Sequence, residues 1–193
     1  MSDNEEKIQI VSFSTNESNQ TTNDIIQILL DQYTHTLIRK SKHAISFTIV
    51  LPDSIITKKI MIVSVFNLSR EYAGITDVNC YMFFIDLRTE NSLENLNVII
   101  TYSQNYCDRT KKIFVLGILR EDSESKQCIY KDDIKKIMDQ GNFIYEYIEL
   151  NLGKKKEVSD NLLNIFVKCS KEKNGDEGEI DKNEKQAHSC NVF

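Results

Sequence analysis

The chain has 193 residues and a formal net charge of −5, a length that suits one domain with a short tail. Hydrophobic residues make up 40% and charged residues 27%, enough apolar surface to build a core without metals or disulfides. The acidic balance speaks against a generic nucleic-acid binder. No apolar run reaches the roughly 18 residues of a membrane-spanning helix. The opening MSDNEEKIQI has neither the cationic nor the apolar region of a secretory signal. The expectation is a cytosolic protein, or a cytosolic protein tethered to a membrane.

The chain alternates strand-like and helix-like runs. KIQIVSF (Lys7 to Phe13) is a short, β-branched apolar run that ends in a Ser/Thr/Asn-rich stretch, as a strand entering a loop does. NDIIQILLDQY then places Ile25, Ile26, Leu29, Leu30 and Tyr33 on one helical face. HAISFTIVL and KKIMIVSV flank LPDSIIT, where Pro52 and Asp53 mark the turn of a hairpin. NCYMFFIDL and KKIFVLGIL are almost wholly apolar, the pattern of strands buried on both faces. SLENLNVIITYSQNY between them is a helix with Leu93, Leu96, Ile99 and Ile100 inward. KDDIKKIMDQ is a further helix with Gly141 at its end, IYEYIEL a last strand, and VSDNLLNIFVKCSKE a last helix. The pattern is α/β: a mixed six-stranded sheet with helices on both faces. Residues 1–6 are an extension, 7–170 the domain, and 171–193 a polar, flexible tail.

Five cysteines occur: Cys80, Cys107, Cys128, Cys169 and Cys190. No CxxC pair is present and His35, His43 and His188 are scattered, so a zinc site is not expected. In a reducing compartment the first four read as free thiols.

This order of elements, with a polar tail ending in a cysteine motif, resembles the Ras superfamily of small GTPases, and the Rab branch above all. The resemblance runs from about Lys7 to Cys169 and includes the C terminus. FTIVLPDSIITKKIMIVSV resembles the hairpin that follows switch one, with Phe47 where Rab-like proteins place a phenylalanine. FNLSREYAGI resembles switch two, and CYMFFIDLRTENSLENL the buried strand and start of the next helix. KIFVLGIL resembles the strand leading to the guanine-specificity box, and YIELNLGKKKEV aligns without gaps to the last nucleotide box. The resemblance implies a small-GTPase fold, of the phosphate-loop NTPase type. It also implies an effector surface around Lys42, Phe47, Phe66 and Tyr72.

Each nucleotide box departs from that pattern. A phosphate loop uses glycines to bring backbone N–H groups around the phosphates, a lysine to neutralise them, and Ser/Thr to hold Mg²⁺. The equivalent SFSTNESNQTT contains no glycine and no lysine, and no lysine or arginine lies between Lys7 and Arg39. Ser14, Ser18, Asn19, Gln20 and Thr21 are the degenerate positions, with only neutral donors to offer. Glu17 and Asp24 add negative charge beside them. The switch-one threonine falls on Lys42, the metal-side aspartate of switch two on Val65, its glycine on Leu68 and the water-positioning glutamine on Ser69. The guanine box falls on Ile118, Leu119, Arg120 and Glu121, with Glu121 or Asp122 as the candidates to imitate the base-reading carboxylate. The last box falls on Asn151, Leu152 and Gly153. No catalytic residue, metal ligand or cofactor is expected, and the replacements trend apolar, as a filled pocket requires.

The chain ends Cys190-Asn191-Val192-Phe193, a prenylation motif whose final Phe favours geranylgeranyl. Acidic residues outnumber lysines in the tail, so the anchor lacks a polybasic second signal and is reversible. These readings converge on a prenylated, membrane-associated adaptor of vesicle trafficking or signalling, a pseudo-GTPase. Its partners would be a prenyltransferase and trafficking or signalling proteins, with no nucleic acid. Two alternatives stand beside it. One is a divergent but active switch that binds GTP or GDP with Mg²⁺. The other is an unrelated α/β domain with the same order of strands.

Overall fold

The computed structural model describes residues 6–15, 20–41, 44–51, 57–65, 77–120 and 127–171. Seven strands form one sheet: β1 (Glu6–Ser14), β2 (His35–Lys40), β3 (Ala44–Val50), β4 (Thr57–Val65), β5 (Cys80–Asp86), β6 (Ile113–Leu119) and β7 (Tyr145–Asn151). Four helices connect them: α1 (Gln20–Gln32), α2 (Ser92–Tyr106), α3 (Lys131–Gly141) and α4 (Lys155–Lys171). The strand order is β2-β3-β4-β1-β5-β6-β7. β4, β1, β5, β6 and β7 run parallel, while β3 is antiparallel to both β4 and β2.

The α/β class and the helices on both faces agree with the sequence pattern, but the sheet has seven strands rather than six. The additional strand is β2, HTLIRK, exposed at all six positions. It has no buried face, so it carries no alternation of apolar and polar residues by which to read it. Pairing with β3 is what makes it a strand.

Alternation along the central strands separates two apolar layers. Ile8 and Ile10 of β1, with Cys80, Met82 and Phe84 of β5 and Phe114, Leu116 and Ile118 of β6, pack under α1 and α4. Val11 and Phe13 of β1, with Tyr81, Phe83 and Ile85 of β5 and Ile113 and Val115 of β6, pack under α2 and α3. The crossovers β5-α2-β6 and β6-α3-β7 advance across the sheet in one direction. Right-handed connection therefore puts α2 and α3 on one face.

Two local details differ from expectation. Gly141 does not take the left-handed position that ends α3; Asn142 does, with φ of 54°. Gly141 is required because a Cβ there would lie 2.7 Å from the Phe143 ring. The four inner cysteines are also not all free. Cys80 of β5 and Cys169 of α4 form a disulfide with their Cα atoms 6.2 Å apart, while Cys107 and Cys128 remain thiols. The partners are separated by 89 residues, a distance at which spacing carries no signal.

The far edge of the sheet is fastened by charge. Glu146 of β7 receives Lys112 at 2.8 Å and Lys168 of α4. Burial acts to raise the Glu146 pKa, but hydrogen bonds and charge from the two lysines outweigh it and hold the carboxyl below its ordinary value.

Two outcomes follow from these links. The Cys80–Cys169 cross-link closes a long loop, worth about 4–5 kcal/mol on the chain-entropy account. Reductant is expected to lower the urea midpoint of the wild type and to leave a Cys80→Ala/Cys169→Ala double variant unmoved. Because the folded-state pKa of Glu146 is lowered, its stabilisation is present at neutral pH and lost as pH falls through that folded value. Glu146→Gln should cost about 0.5–1 kcal/mol at pH 7, and the difference from wild type should vanish in acid when unfolding is measured against pH.

Candidate functional site

In an open parallel sheet the natural binding crevice lies at the carboxyl ends of the strands, where connections leave to opposite faces. Here β1 turns to α1 on one face and its neighbour β5 turns to α2 on the other. The rim at the ends of β1, β5, β6 and β7 therefore occupies that position.

β1 ends at Ser14, half-buried and in register with Phe84 of β5. The next residue, Thr15, is buried and ties three elements together. Its N–H donates to the Phe84 carbonyl at 3.0 Å. Its Oγ1 donates to Ser92 Oγ at 3.1 Å and accepts the Asp86 N–H at 3.3 Å. Its carbonyl accepts Asn95 Nδ2 at 2.7 Å. The carboxylate of Asp86 accepts the Arg88 N–H at 3.0 Å and so caps the turn after β5. The start of the loop that would cradle phosphates is thus bound to β5 and α2.

The rim beyond β5 is closed by backbone bonds and apolar side chains. The Leu87 N–H donates to the Ile118 carbonyl at 3.1 Å, and the Leu152 N–H to the Leu119 carbonyl at 2.8 Å. Leu119 and Leu152 are half-buried, packed against the two core layers, and Ile118 is fully buried. Arg120, at the end of β6, reaches Asp24 in the opening turns of α1 at 3.6 Å. Each side chain keeps about a third of its surface exposed: 33% for Arg120 and 34% for Asp24. The pair is worth little as stability, but it joins the guanine-box position to the helix that would follow a phosphate loop. Thr22, in the first turns of α1, is buried, and its Oγ1 has no hydrogen-bond partner among the described residues.

Few of the expected site residues fall on described structure. Gln20 and Thr21 are the first two residues of α1, and their side chains lie outside the described residues. Ser18, Asn19, Lys42, Phe66, Tyr72, Glu121 and Cys190 lie outside them altogether. Phe47 is placed, and its position corrects its assignment to an effector surface. It is 0% exposed, on the α1/α4 side of β3, with its ring 6.2 Å from that of Phe166. It is a core residue, because odd-numbered positions of β3 face inward with Ile45 and Ile49. Val65, at the metal-side aspartate position, is likewise buried in the α2/α3 layer.

Sequence reasoning passed over Thr15, Ser92 and Asn95. A threonine in a polar loop gives no local sign that its hydroxyl will be buried beside a helix 77 residues away. A second concavity, a groove of about 280 Å³ including its open mouth, lies on the α2 face between Phe13, Val65, Tyr81, Tyr106 and Cys107. Its chemistry is muted: burial pushes the Tyr81 hydroxyl up to about 12 and the Cys107 thiol upward, so both are neutral at pH 7.

Among the described residues, no three of His, Cys, Asp and Glu gather where they could share a metal ion, and no helix is long and apolar enough to cross a membrane. Comparison of the sequence with protein-family models and with curated proteins finds no match.

Thr15→Val keeps the shape of the side chain and removes both hydroxyl bonds, stranding the Asp86 N–H. It should destabilise the fold by about 1–3 kcal/mol in urea unfolding. The same change at the exposed Thr101, whose hydroxyl bonds only its own helix, should be near neutral.

Proposed function

We propose that the chain is a Rab-like member of the small-GTPase superfamily that has lost guanine-nucleotide binding. It acts as an adaptor, held on the cytosolic face of a membrane by a prenyl group on Cys190. Two observations outside the rim agree with this reading. Without β2, the sheet order is β3-β4-β1-β5-β6-β7, with five parallel strands and one antiparallel strand in a hairpin. A mixed sheet with one such hairpin is what the resemblance implies. The connection from β1 to α1 also falls where the family places its phosphate loop.

The observation that carries the loss of nucleotide is the state of the rim. The residues there do not fit a magnesium nucleotide. Between Lys7 and Arg39 no lysine or arginine stands ready to offset phosphate charge. Arg120, at the end of β6, pairs with Asp24. Leu119 and Leu152 stand where polar side chains would read a base and are packed against the core. A triphosphate brought to this rim would have to compete with the Asp24 carboxylate for Arg120. Partner binding then cannot follow a γ-phosphate, since the adaptor has one state rather than two.

One observation favours the alternative of a divergent GTP- or GDP-binding switch. The buried hydroxyl of Thr22, without a partner among the described residues, stands near the start of α1, and a helix N-terminus is a place where an anion can be received.

The deciding measurement is nucleotide content. Protein purified without added nucleotide is denatured, and the supernatant is chromatographed for GDP and GTP. The intact protein is then titrated with fluorescent nucleotide, with Mg²⁺ and with a chelator. The expected outcome is an empty protein that shows no saturable binding at millimolar nucleotide. Stoichiometric GDP or GTP would establish the switch instead. Prenylation is read separately, by the mass of the protein from cells and by the release of a Cys190→Ser variant from membranes.

A further inference from the structure

The sheet ends on one side in β2, which hydrogen-bonds to β3 along one edge and leaves the other edge open. All six residues from His35 to Lys40 are exposed, including Leu37 at 47% and Ile38 at 48%. Exposed edge strands with apolar side chains invite another strand, and proteins usually blunt them by covering or charge. This edge is not covered among the described residues. Its charge has one sign: from Gln32 to Pro52 the sequence holds Arg39, Lys40 and Lys42, two of the three histidines, and no aspartate or glutamate. The rest of the chain must therefore carry more than the whole net charge of −5. Arg39 and Lys40 are exposed and form no ion pair among the described residues.

We infer that β2 is a docking edge that takes an extended, acidic segment of a partner protein as an eighth strand. Backbone pairing along His35–Lys40 would give the affinity. Leu37 and Ile38 would meet β-branched side chains of the guest, and Arg39 and Lys40 its carboxylates. The shift of register between Leu37 and Arg39, which sets Ile38 out of step with β3, bends the strand and limits the guest to a short segment. A second copy is the poorer occupant. Antiparallel self-pairing of β2 brings two basic strands together, and like charges facing across strands oppose pairing. The opposite edge of the sheet, β7, does carry Glu146 and Glu149, but Glu146 is already held by Lys112 and Lys168.

This deepens the adaptor reading by naming the partner's chemistry, and rests on it for its role in the cell. The test reads peptide binding alone. Full-length protein is used to select from a display library of random peptides. The selected peptides are then measured against wild type, Ile38→Pro and Arg39→Glu/Lys40→Glu, each checked for an unchanged thermal melt. The expected result is a consensus in which Asp or Glu alternates with β-branched residues. Affinity should fall about tenfold or more in the charge-reversed variant and with added salt. The amides of residues 35–40 should gain protection from hydrogen exchange.

A consensus without acidic residues, no enriched peptide, or binding that ignores both variants would overturn the inference. Concentration-dependent self-association abolished by Ile38→Pro would assign the edge to a second copy. Tighter peptide binding after Asp176→Asn, Glu177→Gln and Glu179→Gln together would assign it to the chain's own tail. A protein that selects acidic peptides yet contains GDP would overturn the nucleotide-free reading and leave the docking edge standing.

Discussion

β1 is paired along both edges, to β4 and to β5, and covered on both faces, and the other elements take their places from it. A strand in that position can leave no backbone group without a partner, because water does not reach it. Parallel neighbours meet the requirement only through crossovers, so two parallel pairings at one strand oblige helices on both sides of the sheet. The polar groups buried with it are matched in kind. Ser12 donates to Ser64 at 3.0 Å, and the Gln9 N–H is received by Asn79 at 2.8 Å. The apolar layers then fill from its two faces, Ile8 and Ile10 on one and Val11 and Phe13 on the other.

The same strand decides what the carboxyl rim can do. Where β1 runs out, Thr15 continues the pairing through its side chain and binds the loop to β5 and α2. The donors of Thr15 itself are turned to protein rather than to a ligand. The remaining mouth is crossed by Arg120 and Asp24, two charges that satisfy each other. A rim built for an anion would leave its cation for the ligand. Here Arg120 faces a carboxylate instead.

The two edges of the sheet differ in how they are finished. β7 is overlain by α4 and stitched to it by Lys168, with Lys112 approaching from just before β6. β2 has no helix of its own and presents basic residues instead. This asymmetry arises from connectivity. Every strand after β4 is followed by a helix, whereas β2 and β3 are joined by a turn at Ser41 to Ala44 that needs none.

The elements that the sequence determined by itself are those whose burial is periodic over short distances. α2 begins and ends where SLENLNVIITYSQNY does, because Leu96, Ile99 and Ile100 repeat at helical spacing. β5 and β6 were legible because a strand buried on both faces is apolar at nearly every position. The absence of glycine and lysine after β1 was equally plain, since composition needs no structure to be read. What the tertiary structure alone decided is pairing that no single segment announces. β2 exists through β3, Cys80 finds Cys169, and Arg120 meets Asp24. The disulfide and the ion pair have no local signature, because each is a contact whose free energy is realised only after the chain has closed a loop of many residues around it.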